Sequence, residues 1–286
     1  MIPKLIHQIW FQGKDNIPEH LKAYHDTWIQ NNPNFVIIVW DEVKIQNEID
    51  SFSDKEVKDM YNNYPHMIQK IDLAKYIILY KYGGVYIDMD TKNIQRIKES
   101  FFEDYDVIVS KLPESALFKT MMILGGNNPT NEIINNGIIM AAPSQPLLLD
   151  TINEAKKNKN SIYKHINKTL YVYVTTGPLC LTNAVLKNQK TSTHSKLKII
   201  DQSFFEGCDL ITVESGNCKP PENAIGIHLY ENGWVSDSDT FIKNIFIYIL
   251  NNFILIVSLI VSLIILFIYM IKSKNYKKIL NFFKHK

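Results

Sequence analysis

The stretch that most constrains this chain is Asp72 to Thr91, DLAKYIILYKYGGVYIDMDT. Ile71, Ala74, Ile78 and Tyr82 keep helical spacing, so the segment predicts an amphipathic helix that carries Asp72 and Lys75. Gly83 or Gly84 can take the positive φ that ends a helix at its C-terminal cap. A short apolar strand, Val85 to Ile87, then delivers two carboxylates, Asp88 and Asp90. Alternation along a strand puts these two on one side, with Met89 turned into the packing.

Two like charges that close repel unless a cation sits between them. Mg²⁺ or Mn²⁺ prefers carboxylate and phosphate oxygens and keeps open positions for a diphosphate, so the pair is a candidate metal site. Asp-x-Asp triplets are common in solvated turns. This one directly follows a buried apolar strand, where carboxylates are costly to hold.

The flanking sequence reads as alternating strands and helices. Lys4 to Trp10 is a first buried strand, Pro18 to Gln30 a helix with Pro18 in its first turn, and Phe35 to Trp40 a strand buried on both faces of a mainly parallel sheet. Helical patterns through Asp59 and again from Met67 complete an α/β order. Beyond Asp90, strands are expected at Asp106 to Ser110, Gly137 to Ala141 and Ala224 to Leu229, and helices at Gln145 to Lys157 and Gly177 to Leu186. Leu124 to Asn136 is too polar for a core and is expected to form a mobile flap.

Ligands of open α/β sheets bind at the carboxyl ends of the strands. Trp10, Asp88, Asp90 and His228 all fall at or just beyond such ends. Trp10 can stack on a nucleobase, and His228 with Trp234 can close the site from the C-terminal side, His228 as a further metal ligand. A core tryptophan and a hydrogen-bonded structural histidine are the plainer alternatives for Trp10 and His228.

Phe253 to Ile271 holds nineteen residues without a charge, and Ile245 to Leu250 extends the apolar run, so residues 245–271 are expected to cross a membrane as one helix. Six lysines follow, with no acid. The first 271 residues therefore carry 25 basic against 29 acidic groups, a balance that argues against nucleic-acid binding. The basic tail suits anionic headgroups. MIPKLIHQIW has no long apolar core of a signal peptide, so insertion is expected to rely on the C-terminal span. The positive-inside rule favours a cytosolic tail, whereas the missing leader favours a cytosolic body, and the side of the body stays open. Three cysteines, Cys180, Cys208 and Cys218, predict no disulfide framework, although Cys208 and Cys218 could close a loop in an oxidising compartment.

The ordered landmarks IPKLIHQIW, Asn-Pro then FVIIVW, DLAKYIILYKYGGVYIDMD, NNGIIMAAP, TGP and HLYENGW resemble the DXD glycosyltransferases. That family-32-like group contains yeast Golgi α-mannosyltransferases and inositol phosphoceramide mannosyltransferases and, more distantly, the clostridial glucosylating toxins. The resemblance covers residues 1 to about 236 and implies a GT-A fold, Rossmann-like with helices on both faces of the sheet. It also implies Mn²⁺ or Mg²⁺, a nucleotide-sugar donor (GDP-mannose or a UDP-hexose) and retention of configuration. Carried over, Trp10 would stack on the base, Asp72 and Lys75 would hold sugar and phosphates, and Tyr86 would line the donor pocket. Asp88 would contact ribose or metal-bound water, Asp90 would ligate the metal, Asn136 would sit by the sugar, and His228 and Trp234 would belong to the closing segment. Lys75 stands where the family usually has Arg, which keeps the charge and loses the bidentate fork. Asn232-Gly233-Trp234 also departs from the family, where Ser commonly precedes the Trp.

The expected organisation is a catalytic domain over 1–236, a linker over 237–244, the span over 245–271 and a basic tail over 272–286. The expected function is transfer of a hexose, mannose first, to a membrane-associated glycan or glycolipid. Two other readings compete. YIDMDT also fits a haloacid-dehalogenase-type phosphatase, with Asp88 as nucleophile and Asp90 as acid. Lys75 motivates a membrane-tethered sugar-binding protein without catalysis.

Overall fold

The structure is a computed structural model, and it describes residues 1–112, 122–123, 132–190, 195–208, 212–213, 215–231 and 252–272. Trp234, the basic tail and most of the proposed flap lie outside these. The chain divides into two compact units, Met1–Val235 and Ser236–Lys286.

The first unit contains β1 (Leu5–Ile9), β2 (Val36–Trp40), β3 (Gly84–Ile87), β4 (Thr91–Asn93), β5 (Val107–Lys111), β6 (Ile134–Ala141), β7 (Leu197–Asp201) and β8 (Gly226–His228). Six strands form one sheet in the order β2-β1-β3-β6-β5-β7. The pairs β1–β2, β1–β3 and β5–β7 are parallel, whereas β6 runs antiparallel to both β3 and β5. Five of the six strands thus share a direction, as a mainly parallel sheet requires. The helices α1 (Glu19–Asn31), α2 (Glu42–Ser51), α3 (Lys55–Asn63) and α4 (Met67–Tyr82) come from the first half of the chain. One core, including Ile77, Ile78, Ile139, Leu147 and Leu181, packs α4 and the helices Pro146–Asn158 and Pro178–Asn188 on the sheet. A second core, including Ile6, Trp28, Val85, Ile138, Met140 and Phe205, lines the opposite side, so helices cover both faces.

The sequence explains how α4 is aimed. Gly83 caps it at φ 63°, and Gly84 continues at φ 101°, where a Cβ would lie 2.7 Å from the Leu5 carbonyl. Only glycine lets the chain turn so tightly beside β1. His7 locks the turn: its Nε2 donates to the Gly83 carbonyl at 2.8 Å, and its Nδ1 accepts from the Trp40 indole at 3.1 Å. Burial pushes His7 down to about 4, against the pull of the Gly83 carbonyl, so the ring is neutral and can fill both roles.

Several sequence expectations change. Phe35 to Trp40 is an edge strand with Val36 60% exposed, because β2 has a neighbour on one side only. The flap expectation fails at its end, where Ile134, Asn135 and Asn136 are buried in β6. Asparagine there serves buried hydrogen bonds, which composition cannot distinguish from solvation. His228 does not end a strand of the main sheet. It sits on β8, paired with β4 in a separate two-stranded sheet with Thr91 opposite His228. Cys208 and Cys218 form a disulfide. The parity argument fails because the odd cysteine, Cys180, is a buried core residue.

In the second unit the helix Phe253–Lys272 spans 20 residues, about 30 Å at helical rise. Among the described residues no helix is long and apolar enough to cross a membrane.

Candidate metal and sugar-nucleotide site

Asp88 and Asp90 follow β3 in a turn rather than on the strand. The Asp88 amide donates to the Gly137 carbonyl of β6 at 3.0 Å, and the Thr91 amide closes the turn on the Asp88 carbonyl at 3.2 Å. Met89 packs with Trp10, Ile17, Leu21, Tyr24 and Val39. The two carboxylates therefore converge through a turn, with Met89 as its apolar pin. Trp10 belongs to this apolar cluster, and its indole donates to the Asn16 carbonyl at 3.0 Å.

β4 and β8 bring His228 in from the far end of the domain. Asp88, Asp90 and His228 offer ligand atoms that all lie within 4.8 Å of one another. His228 Nε2 stands 3.1 Å from Asp90 Oδ1, and Nδ1 stands 3.2 Å from Glu206 Oε1. The second contact is close but off the line of a hydrogen bond, so its content is charge. Burial alone would push His228 down. The Asp90 and Glu206 carboxylates override it and hold the imidazole well above its ordinary value.

The paired aspartates differ. Burial pushes Asp88 up to about 6, with Lys75 opposing and Asp90 adding to the rise. Burial also acts on Asp90, but His228 and the Glu231 amide, which donates to Asp90 Oδ2 at 3.0 Å, hold it below the usual carboxylate range. Gly137 leaves the room between these groups. A Cβ there would lie 2.9 Å from Glu206 Oε1 and 3.1 Å from Asp88 Oδ2. The carboxylates of Asp88 and Asp90 with the His228 imidazole make a donor set that fits a divalent cation.

Beneath Asp88 lies a second network. Lys75 Nζ is 2.7 Å from Asp72 Oδ1 and 3.9 Å from Asp88 Oδ1, and it lies over the Tyr86 ring at 4.8 Å. Burial opposes the Lys75 charge, but Asp72 and Asp88 more than restore it, so the ammonium is held above its ordinary value. Asn136 donates to Asp72 Oδ1 at 3.0 Å, Thr176 donates to Asp72 Oδ2 at 3.1 Å, and Tyr86 donates to Asp88 Oδ1 at 2.8 Å. Asp72 and Lys75 are 3% and 2% exposed, so each spends its charge mainly on the other.

The structure thus brings Asp72, Lys75, Tyr86, Asp88, Asp90, Asn136 and His228 together and sets Trp10 against the Met89 side of the motif. Sequence reasoning gave no role to Glu206, Gln202, Tyr230, Asn135, Gly137 or Thr176. Asn135, Gly137, Thr176 and Tyr230 fall inside the landmarks NNGIIMAAP, TGP and HLYENGW, which were the available signal. Glu206 had none.

Residues 18–112 match the family described as glycosyltransferase sugar-binding region containing DXD motif. An uncharacterized glycosyltransferase of Acanthamoeba polyphaga mimivirus is 28% identical over 210 residues, covering 73% of this chain and 75% of its own length. Inositol phosphoceramide mannosyltransferase 1 of Schizosaccharomyces pombe is 27% identical over 71% of this chain and 57% of its own length. Mannosyl phosphorylinositol ceramide synthase CSH1 of Saccharomyces cerevisiae is 28% identical over 72% of this chain and 49% of its own. The chain spans about half the length of these yeast relatives. Among solved structures, galactosyltransferase LgtC in complex with donor and acceptor sugar analogs superposes with a TM-score of 0.45 at 11% identity, covering 82% of this chain and 90% of that one. The match over residues 18–112 includes YIDMDT and favours the sugar-transferase reading of that motif over the phosphatase one. Over residues 18–112 the chain is similar to glycosyltransferases whose sugar-binding region contains the DXD motif, and the relatives it resembles over about 70% of its length are named for glycosyl or mannosyl transfer.

Proposed function

We propose that the protein transfers a hexose, mannose from GDP-mannose in the first instance, to a glycolipid or membrane-associated glycan with retention of configuration, on a GT-A fold. The observation that carries this reading is the convergence of Asp88, Asp90 and His228, whose ligand atoms lie within 4.8 Å of one another. Those three residues would hold Mn²⁺ or Mg²⁺, which supplies positive charge for the leaving diphosphate. Lys75, fixed by Asp72, adds a buried cation below Asp88. Trp10 and the apolar residues around Met89 offer a surface for the nucleobase. Asp72 and Asn136 serve by fixing Lys75 rather than by touching the sugar. Mannose and a lipid acceptor are favoured because the fungal relatives are named for mannosyl transfer to inositol phosphoceramide.

We infer from the charge-free run Phe253 to Ile271 in the sequence that this segment anchors the body to a bilayer. The Cys208–Cys218 disulfide suits an oxidising compartment and the six tail lysines suit a cytosolic tail, and both favour a body on the lumenal or outer face.

Calorimetric titration with GDP-mannose, UDP-glucose and UDP-galactose, with and without chelator, tests donor and metal together. Binding of GDP-mannose that chelator removes is expected. Binding undiminished by chelator would refute the metal role, and an inverted product by NMR would refute retention.

A further inference from the structure

We propose that Glu206 is a positioning residue for the cation site, its buried carboxylate setting the His228 ring so that Nε2 faces the gap shared with Asp88 and Asp90. The proposal rests on the reading of Asp88, Asp90 and His228 as a cation site.

Glu206 is wholly buried, and a buried carboxylate is expensive unless its partners are in place. The partners come from three directions. Asn135 on β6 donates to Oε1, Gln202 one turn earlier on the short helix Gln202–Glu206 donates to Oε2, and the Tyr230 hydroxyl donates to Oε2 at 3.0 Å. Gripped from three elements, the carboxylate cannot swing, and Oε1 is left 3.2 Å from His228 Nδ1. Tyr230 fixes the other degree of freedom. Its ring stacks on the imidazole at 4.2 Å and 22°. It does so at φ 52°, a left-handed backbone that an aromatic residue rarely adopts and that surrounding contacts must hold.

The ring's plane is therefore set by Tyr230 and its edge by Glu206, and Nε2 is the nitrogen turned to Asp90. When the Nε2 lone pair serves a cation, the ring's one proton sits on Nδ1, where Glu206 is the nearest anion. Metal-bound histidines commonly hand that second nitrogen to a carboxylate, and loss of the outer partner typically weakens metal binding 10- to 100-fold.

The test is a double-mutant cycle on the full chain. Glu206→Gln, His228→Ala and the double variant are compared by electron paramagnetic resonance of free Mn²⁺ in the presence of GDP, with melting temperature recorded alongside. Glu206→Gln is expected to weaken Mn²⁺ binding about 10- to 100-fold in the parent chain and to have no further effect once His228 is alanine. Equal weakening in both backgrounds would overturn the proposal, because Glu206 would then act through the fold at large. Undiminished affinity in Glu206→Gln would overturn it too. Should Glu206→Gln fail to fold, Tyr230→Phe keeps the stacked ring and removes one hydroxyl from the carboxylate. It should show a smaller weakening that likewise vanishes without His228, and a weakening that persists counts against the role. Asp90→Asn separates the two levels. Mn²⁺ binding equal to the parent in Asp90→Asn would defeat the cation-site reading itself. Loss there with full binding in Glu206→Gln would defeat the positioning role alone.

Discussion

Two charged networks flank the DXD turn, and they are built on opposite terms. Below Asp88, Lys75 and Asp72 sit 2.7 Å apart at 2% and 3% exposure, braced by Asn136 and Thr176. Beside Asp90, His228 and the two aspartates keep side-chain exposures of 12%, 29% and 20%. The first network is closed. Its cation is a permanent part of the protein, and removing either partner strands a buried charge. The second is open enough to admit an ion, and its positive charge comes from an imidazole that a metal can replace in kind. The comparison teaches that the same motif is held by one network that stabilises the fold and met by another that is available for chemistry.

The sharpest break of that contrast is Asp90→Asn, which changes only the open side. Turnover should fall about a thousandfold, since a ligand for the leaving-group counter-charge is gone, while far-UV circular dichroism stays that of the parent. Near-parent turnover in a radiolabelled-sugar transfer assay would remove Asp90 from the metal set.

The closed side is tested by stability. Asp72→Ala leaves Lys75 buried beside Tyr86 without its 2.7 Å partner, and the unfolding free energy in urea should drop by about 3–5 kcal/mol. His228→Ala, on the open side, should cost clearly less, because Glu206 keeps its donors Asn135, Gln202 and Tyr230. Equal losses from the two would erase the distinction between the networks.

A smaller effect is expected at Gly137→Ala. Its methyl would press on the Glu206 and Asp88 carboxylates at 2.9 and 3.1 Å. Mn²⁺ affinity should fall about tenfold, a magnitude like that of disturbing an outer partner of a metal ligand. Calorimetry that finds parent affinity would show that the room beside Gly137 is not needed.

The two networks also differ in how much of them the sequence disclosed. The closed side was legible because Asp72, Lys75 and Tyr86 lie within fifteen residues of one another, on a helix and strand whose periodicity and glycine break are local signals. The open side assembles across more than 130 residues. His228 could be suspected from its place near a late strand, but its strand is a three-residue piece of a second sheet that no period reveals. Glu206 was invisible because a single acid in FFEGC carries no pattern until the fold buries it. β7 escaped as well, since its residues Leu197–Asp201 alternate only weakly and sit at an edge. The Cys208–Cys218 bridge was judged by parity, which says nothing about which pair the fold brings within reach.

The finest test is the pH dependence of Asp88, the group that stands between the networks. Burial, with Lys75 opposing and Asp90 adding, pushes its carboxyl up to about 6, against about 3.9 in an unfolded chain. Between those values the folded protein keeps a proton that the unfolded chain has lost, so Asp88 lowers stability as pH rises from about 4 to about 6. His7, pushed down to about 4 by burial, acts in the opposite sense over the same window, because the unfolded chain binds its proton first. The total curve is therefore uninformative, and the difference between the parent and Asp88→Asn isolates the carboxyl. His228, held well above its ordinary value, titrates in parent and variant alike and is subtracted in the same difference. Urea unfolding at pH 4.5 and 6.5 should show Asp88→Asn gaining on the parent by about 1–2 kcal/mol, the lower end favoured by the carboxylate's 29% exposure. A difference that stays flat, or that shrinks as pH rises, would mean that Lys75 neutralises Asp88 outright and that the closed network reaches across the motif.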